Sequence, residues 1–208
     1  MESEALLGQY AHLFATFQNQ HFFLAVANDT ITSHQVGTYL VQDAHYLRAL
    51  GDRLRDLALL VEDSAARSIL QQHSRDADNL PGVAREIVAR DLGLLELARE
   101  DLRRPTRGYI DHQRRSVCNG VRDGILSILP CYLFYPYFVT AIRTKTSDSE
   151  LLQKCLPFIS TVKQAHLWAE EMLGVWNYLG LAEPSGEAET AFVLSAQYEA
   201  ALLDMAMK

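Results

Sequence analysis

Three side chains capable of acid–base or nucleophilic chemistry stand on apolar faces of predicted helices. Asp43 recurs with apolar residues at steps of three and four, so it lies on the face that those residues mark as buried. Glu199 lies in a similar series near the C-terminus, and Cys131 lies within an uncharged run. A buried carboxylate without a partner is costly, so each of these positions needs a physical explanation.

A structural and a functional explanation both fit these residues. In the structural one, each carboxylate is hydrogen-bonded to an arginine, a tyrosine or a helix terminus, and Cys131 is an inert small apolar residue. In the functional one, Asp43 and Glu199 are acid–base groups around a thiol nucleophile. The functional explanation gives a reason for the unfavourable free energy of burying two carboxylates and a thiol on three helices. The residues alone leave both explanations open.

The uncharged run that contains Cys131, residues 125–142, is predicted to be a core segment. Pro130 and Pro136 lack the N–H that a helix uses at those positions, so a helix here must loosen or kink, which makes room for a cavity. The run is long enough to span a membrane. Its prolines, tyrosines and hydroxyl residues make it less apolar than a span, and no other segment could partner it. We therefore expect no membrane partner.

Apolar residues at helical spacing dominate the chain, and no run rich in valine, isoleucine and threonine alternates as a strand would. The sequence therefore predicts an all-α fold, and the absence of a linker or repeat predicts one helical bundle domain over residues 1–208. The predicted helices are Glu4–Ala27, Thr32–Glu62, Ala65–Asp78, Pro81–Asp101, Thr106–Ser127, Pro130–Thr144, Asp148–Thr161, Val162–Leu179 and Glu187–Ala206.

Composition argues against several classes of function. The chain has 208 residues and a net charge of -7, which disfavours binding to nucleic-acid phosphates. Its three cysteines form no CxxC pair and its histidines form no Glu-x-x-His pair, so neither a metal site nor a cofactor is predicted. No signal peptide is visible, so we expect a cytoplasmic location. Trp168 and Phe158 are expected to be ordinary core aromatics.

Three blocks of the sequence resemble the TenA family. Residues 21–47 contain a His-Phe-Phe-Leu run, an Asp-Thr-Ile turn and the pattern Tyr-x-x-Gln-Asp-x-x-Tyr-Leu; the family has His-Pro-Phe, Gly-Thr-Leu and the same Gln-Asp pattern. Residues 129–135 match its Leu-Pro-Cys-x-x-x-Tyr motif, with Tyr109 ahead of them. Residues 197–206 match its C-terminal helix, which carries Glu199. The resemblance covers nearly the whole chain, in order.

The resemblance implies a haem-oxygenase-like fold, a homotetramer and the activity of an aminopyrimidine aminohydrolase, or thiaminase II, in thiamine salvage. It implies that Cys131 is the nucleophile, that Asp43 holds the small pyrimidine substrate and that Glu199 is the acid–base group. It also implies which aromatic residues line the ring pocket. Those residues are Phe22, Tyr46, Tyr109 and Tyr135.

Departures from the family pattern border this predicted site. Val162 stands where the family usually has a tyrosine that reaches the pocket, and Asp29 replaces the glycine of the Gly-Thr-Leu turn. Pro136, Tyr137 and Phe138 follow Tyr135 where the family tends to have an acidic residue and a glycine. Loss of a hydrogen bond can shift specificity strongly. The alternatives are therefore a different amine substrate or a non-catalytic protein that binds pyrimidines in a regulatory role.

Overall fold

The computed structural model describes residues 8–181 and 186–208, and within these ranges every regular element is a helix. This confirms the predicted all-α class. The α-helices of the described residues are α1 (Ala11–Gln18), α2 (His21–Ala27), α3 (Ser33–Leu60), α4 (Ser64–Glu86), α5 (Arg104–Cys118), α6 (Val121–Lys145), α7 (Glu150–Cys155), α8 (Val162–Tyr178) and α9 (Glu187–Ala206).

Two of the helix breaks predicted at prolines, before Pro81 and before Pro130, are wrong. Helix α4 continues through Pro81, and α6 continues through both Pro130 and Pro136. A proline removes one backbone hydrogen bond, and a long helix that is packed along its length tolerates that loss. The chain breaks instead at Gly120, between α5 and α6, where φ is +126°, a conformation that glycine adopts without a steric penalty.

Three other predicted helices are shorter than expected. The first is divided, with α1 ending before Asn19 and α2 beginning after the extended Gln20; its predicted start at Glu4 lies outside the described residues. The segment predicted as Pro81–Asp101 leaves α-geometry after α4, in a π-helical turn (Ile87–Asp91) and a 3-10 turn (Leu97–Arg99). The segment predicted as Asp148–Thr161 begins at the end of a 3-10 turn (Thr146–Asp148) and otherwise contains α7 and irregular chain. Helical periodicity does not distinguish these tighter and wider turns from an α-helix.

Helices α3 and α4 form a tight hairpin that carries one wall of the bundle. The N-terminus of α3 has a capping box in which Thr32 accepts from the Gln35 N–H and the Gln35 side chain accepts from the Thr32 N–H. The helices approach closely at Gly51, whose carbonyl accepts from Ser74 Oγ at 2.9 Å. A Cβ at position 51 would lie 3.3 Å from the Ser74 carbonyl oxygen, so the absence of a side chain permits this spacing.

Helices α5, α6 and α9 pack together to form the opposite wall. Ser195 Oγ of α9 donates to the Ser127 carbonyl of α6 at 2.6 Å, and a ring nitrogen of His112 in α5 lies 3.0 Å from the Ala191 carbonyl of α9. Both contacts are buried, so they fix the rotation of α9 relative to its neighbours.

One helix of the described residues has the length and composition of a membrane span. The stretch from Val121 to Asp148 contains an 18-residue window with a mean hydropathy of 1.7, and 72% of that window is buried inside the protein. A buried helix of this kind is typical of the core of a soluble protein, as expected from the sequence.

The turn between α2 and α3 contains a non-glycine residue of positive φ. Asp29 has φ of +53°, which lies in the left-handed region that aspartate tolerates better than most residues. This is the position at which the resembling family has glycine. Asp29 therefore adopts the left-handed conformation that a glycine would adopt at this position without a steric cost.

We expect Asp29→Gly to stabilise the protein by roughly 0.5–1 kcal/mol and Asp29→Ala to destabilise it by a similar amount, because glycine alone has no steric cost at this φ. The free energy of unfolding in urea measures both. If Asp29→Ala were more stable to unfolding than Asp29→Gly, the left-handed conformation at this position would be contradicted.

Candidate active site

A cavity of about 80 Å³ lies between the two walls of the bundle. This volume is several times the roughly 10–15 Å³ that accommodates one water, so the cavity admits a small molecule. Four of the residues predicted for the site line it: Asp43, Cys131, Tyr135 and Glu199. The rest of the lining is largely aromatic and aliphatic.

The three groups predicted to do chemistry come from three helices and meet at this cavity. Asp43 projects from α3, Cys131 from α6 and Glu199 from α9, and each is partly rather than fully buried. The thiol and Glu199 are hydrogen-bonding neighbours, and this contact affects the pKa of both groups. The convergence makes the arrangement chemically competent, since a nucleophile and a base lie side by side.

Burial controls the ionisation of all three groups. It raises the pKa of Glu199 from 4.5 to about 7, an effect that hydrogen bonds from Tyr109 and Cys131 oppose. Burial and the nearby Glu199 raise the pKa of Asp43 to about 8, although the Tyr39 hydroxyl opposes the shift. Burial, followed by the charge of Glu199, raises the pKa of the Cys131 thiol well above its usual range. Near neutral pH the empty site therefore contains a thiol and at least one protonated carboxyl.

Tyr46 and Tyr109 lie behind the cavity wall rather than on it. Both are buried, and their rings stack at 4.6 Å between centroids. The Tyr109 hydroxyl donates to Glu199 Oε1 at 2.7 Å, and the Tyr46 hydroxyl donates to Tyr109 Oη at 3.4 Å. The contact of Tyr46 with Cys131 lowers the pKa of that thiol against the larger effect of burial. The two tyrosines contact the reactive groups and not the open volume.

Phe22 is also one layer removed from the cavity. It is buried, with its ring centroid 5.4 Å from that of Tyr39 and 6.1 Å from that of Phe138. Tyr39 and Phe138 themselves line the cavity. Phe22 therefore supports two wall residues.

Tyr135 forms an aromatic wall with a residue of α8. Its ring stacks on Trp168 with centroids 6.1 Å apart, and its hydroxyl accepts from the Ser160 backbone N–H at 3.2 Å. Trp168 and Phe158 pack in or against the core, as expected, and they also line the cavity, which the sequence did not predict. Their periodicity indicated burial, and burial against a cavity gives the same pattern as burial against side chains.

Sequence reasoning missed a second polar group at the cavity, on α4. His73 and Asp76 both line it, and a ring nitrogen of His73 lies 2.9 Å from Glu171 Oε2 of α8. Burial lowers the pKa of His73 against the opposing effect of Glu171. Their spacing of three residues places them on one helix face, but no motif marked that face as part of a site.

Val162 does not line the cavity. It is the first residue of α8, follows the N-cap Thr161 and packs partly buried against the core. Tyr135 and Trp168 line the cavity instead. Among the described residues, no group of three or more His, Cys, Asp or Glu side chains is arranged to hold a metal ion.

Solved structures share this fold. A TenA homologue from P. horikoshii OT3 has a TM-score of 0.72 and 16% identity, over 98% of this chain and 96% of that one. A protein from Sulfolobus solfataricus P2 described as a TenA-like thiaminase has a TM-score of 0.77 and 14% identity, over 98% and 95%. A domain of unknown function with a haem-oxygenase-like fold, from Shewanella denitrificans OS217, has a TM-score of 0.74 and 15% identity, over 100% and 92%. No sequence-family model and no curated protein matches the chain.

These similarities extend over nearly the full length of each chain and confirm the haem-oxygenase-like fold that the sequence resemblance implied. The chain shares that fold with TenA homologues. Since the identities are 14–16%, the likeness concerns the fold, and the activity has to be argued from the site.

The raised pKa of Glu199 has a consequence for stability. Between about pH 4.5 and about pH 7 the folded chain binds more protons at Glu199 than the unfolded chain does, so the free energy of unfolding falls as the pH rises through this window. Glu199→Gln removes the titrating carboxyl group and with it this pH-dependent fall in the free energy of unfolding. We expect the melting temperature of the ligand-free variant to exceed that of the wild type by a few degrees at about pH 8 and by much less at about pH 5.

The matched control is Glu96→Gln, since the Glu96 side chain is 91% exposed. The difference in melting temperature between Glu96→Gln and the wild type should be the same at about pH 5 and at about pH 8. An equal gain for Glu199→Gln at both pH values would show that burial does not raise the pKa of Glu199.

Proposed function

We propose that this chain is a TenA-family, thiol-dependent hydrolase that converts 4-amino-5-aminomethyl-2-methylpyrimidine into its hydroxymethyl product and ammonia, as in thiamine salvage. The convergence of Cys131, Glu199 and Asp43 on one small cavity with aromatic walls carries the proposal. The likeness of fold to TenA homologues is consistent with it.

Asp43 binds the substrate edge in this proposal. With its pKa raised to about 8, the carboxyl is protonated near neutral pH and has both an acceptor and a donor. The edge of a 4-aminopyrimidine offers the complementary pair, an amino N–H and a ring nitrogen. Two parallel hydrogen bonds then fix the ring, and Tyr135 and Trp168 provide an aromatic surface for its face.

Glu199 moves the proton and Cys131 forms the covalent bond. The Glu199 carboxylate accepts the thiol proton as the sulfur adds to an electron-poor ring carbon, and it then delivers that proton to a ring nitrogen. The 5-amino group takes up a proton from solvent and departs as ammonia, and water adds to the 5-methylene carbon and gives up a proton in turn. Expulsion of the thiolate, with transfer of the ring-nitrogen proton through Glu199 back to the sulfur, restores the aromatic ring and the thiol. A pKa of about 7 suits a group that must accept and return a proton.

The charge of the cavity restricts the substrate class. No lysine or arginine is among the described residues that line it, whereas Asp43, Asp76 and Glu199 are. A phosphate ester would find no cationic partner there, and desolvation of its charge would be uncompensated. The proposed substrate is therefore an uncharged or amine-bearing pyrimidine.

We expect Cys131→Ser to lower kcat for ammonia release from the aminomethylpyrimidine by at least about 10³-fold, because an alcohol is a far weaker nucleophile at this site. Mass spectrometry identifies the hydroxymethyl product, with thiamine and the formylated aminomethyl precursor as further substrates. Cys118→Ser, which alters an exposed cysteine, is the control and should retain wild-type turnover. Full turnover by Cys131→Ser would refute nucleophilic catalysis.

The same measurements separate the hydrolase from its alternatives. Turnover of a different pyrimidine amine would show an altered substrate. Tight binding of the aminomethylpyrimidine by the wild type without any product would favour a non-catalytic binding role.

We further propose that the chain acts in the cytoplasm as a homotetramer, as its resemblance to the family implies. Large apolar side chains are exposed on the single chain, among them Leu59 (81%), Tyr178 (59%) and Leu60 (52%). Light scattering coupled to size exclusion should give about four times the 23.4 kDa chain mass. A monomer mass at micromolar concentration would refute the tetramer.

A further inference from the structure

A line of buried hydrogen bonds runs through the core and ends on Glu199. Its far end is Gln113 of α5, whose side-chain Nε2 lies 3.1 Å from Tyr46 Oη and 3.1 Å from the Ser127 carbonyl oxygen. Tyr46 continues the line to Tyr109 at 3.4 Å, and Tyr109 continues it to Glu199 Oε1 at 2.7 Å. Gln113, Tyr46 and Tyr109 are each at most 1% exposed.

The direction of these bonds is fixed by chemistry. The Ser127 carbonyl can only accept, so the Gln113 atom facing it must be the amide nitrogen and not the amide oxygen. The same nitrogen also faces Tyr46, so its second N–H donates there, and the Tyr46 hydroxyl is left to donate to its two acceptors, Tyr109 and the Cys131 sulfur. Along the branch through Tyr109, each hydroxyl donates toward Glu199, which is the terminal acceptor.

Gln113 incurs a cost that a purely structural residue would avoid. Its Oε1 is buried and has no hydrogen-bond partner among the described residues. A buried acceptor without a partner destabilises a fold, and an apolar side chain of similar length would remove that cost. What Gln113 provides, and an apolar side chain could not, is a pair of amide N–H groups that donate to Tyr46 and to the Ser127 carbonyl.

The Ser127 carbonyl also sets the geometry of the line. It accepts from Gln113 of α5 and, at 2.6 Å, from Ser195 of α9, one turn before Glu199. One backbone oxygen thus holds both the start of the line and the helix that carries its end. The distance between Gln113 and Glu199 is fixed accordingly.

We propose that Gln113 is a positioning residue that acts on Glu199 through the hydroxyls of Tyr46 and Tyr109, favouring its carboxylate form and holding that carboxylate toward Cys131. The role in catalysis rests on the function proposed above; the effect on Glu199 does not. Gln113 lies outside the cavity lining, so it contacts no substrate. The titratable groups that face Glu199 from the neighbouring helices are Tyr39, Asp43 and Tyr46 of α3, Tyr109 of α5 and Cys131 of α6.

The direct test is an NMR titration of the Glu199 carboxyl carbon, assigned by its absence in Glu199→Gln. Gln113→Met is of similar length and cannot donate. Loss of the donor at the head of the line weakens each following hydrogen bond by only a fraction of its strength, so the titration midpoint of Glu199 should rise by roughly 0.1–0.3 pH unit. An unchanged midpoint would overturn the proposal.

Gln42 provides a matched control, because it is a second fully buried glutamine with a structural network. Its side chain bonds the Asp101 carbonyl, the Arg103 N–H and the Thr106 hydroxyl, none of which leads to Glu199. Gln42→Met should lower stability and leave the Glu199 midpoint in place. Equal shifts in Gln42→Met and Gln113→Met would overturn the proposal by showing a general effect of core disruption.

Two further variants complete the test. If Gln113→Met does not fold, Gln113→Asn keeps the amide but is too short to bridge Tyr46 and Ser127, and the same upward shift is expected. In a Tyr46→Phe background, the Gln113 substitution should add no further shift, since the path is already interrupted. An undiminished shift in that background would overturn the path through Tyr46.

The titration needs no turnover, so its outcome is independent of the proposed hydrolase activity. If the wild type releases ammonia, the acidic limb of its kcat/KM profile should move upward with the Glu199 midpoint in Gln113→Met. A protein with no activity but with the NMR shift would retain the positioning role and lose only the proposed reaction.

Discussion

The burial of two carboxyl groups beside one thiol is the constraint on which the rest of this structure depends. Asp43 and Glu199 raise the energy of one another's charged form, and the apolar walls withhold the water that would screen them. The two carboxyl groups differ in their hydrogen-bond donors. Asp43 accepts a hydrogen bond from Tyr39, whereas Glu199 accepts hydrogen bonds from Tyr109 and Cys131. The environment therefore raises the pKa of both carboxyl groups and gives each of them a different set of hydrogen-bond donors.

The spacing of residues along each helix places the carboxyl groups and their hydrogen-bond donors together. On α3, Tyr39, Asp43 and Tyr46 follow at steps of four and three, so they share one face while reaching different depths. Asp43 opens on the cavity and Tyr46 lies behind it, where it can act on Cys131 and Tyr109 without contacting a ligand. One face of α3 thus supplies Asp43, which lines the cavity, and Tyr46, which contacts residues of the neighbouring helices α5 and α6.

Apolar periodicity predicted the helical class and marked Asp43 and Glu199 as inward-facing. Only the resemblance to the TenA family implied that these two residues meet Cys131 at one site. The sequence did not predict where helices end, since Pro81 and Pro130 lie inside helices whose tertiary packing compensates for one missing hydrogen bond. It also could not place His73 or Trp168 on the cavity, because one side of the space they border is set by the crossing of α4 and α8. The depth of a residue depends on such crossings, which single-helix periodicity does not contain.

The aromatic wall bears on the departure at Val162. A hydroxyl supplied from that position would have to act beside Tyr135, whose own hydroxyl already accepts from the Ser160 N–H. The Tyr135 ring is further held by stacking on Trp168. In the proposed reaction, recognition at this end would rest on shape and on ring stacking, which tolerate changes in the substituents of a heteroaromatic ring better than a buried hydrogen bond does. Discrimination among pyrimidines would fall instead to Asp43, because a protonated carboxyl requires a neighbouring donor and acceptor on the ring edge.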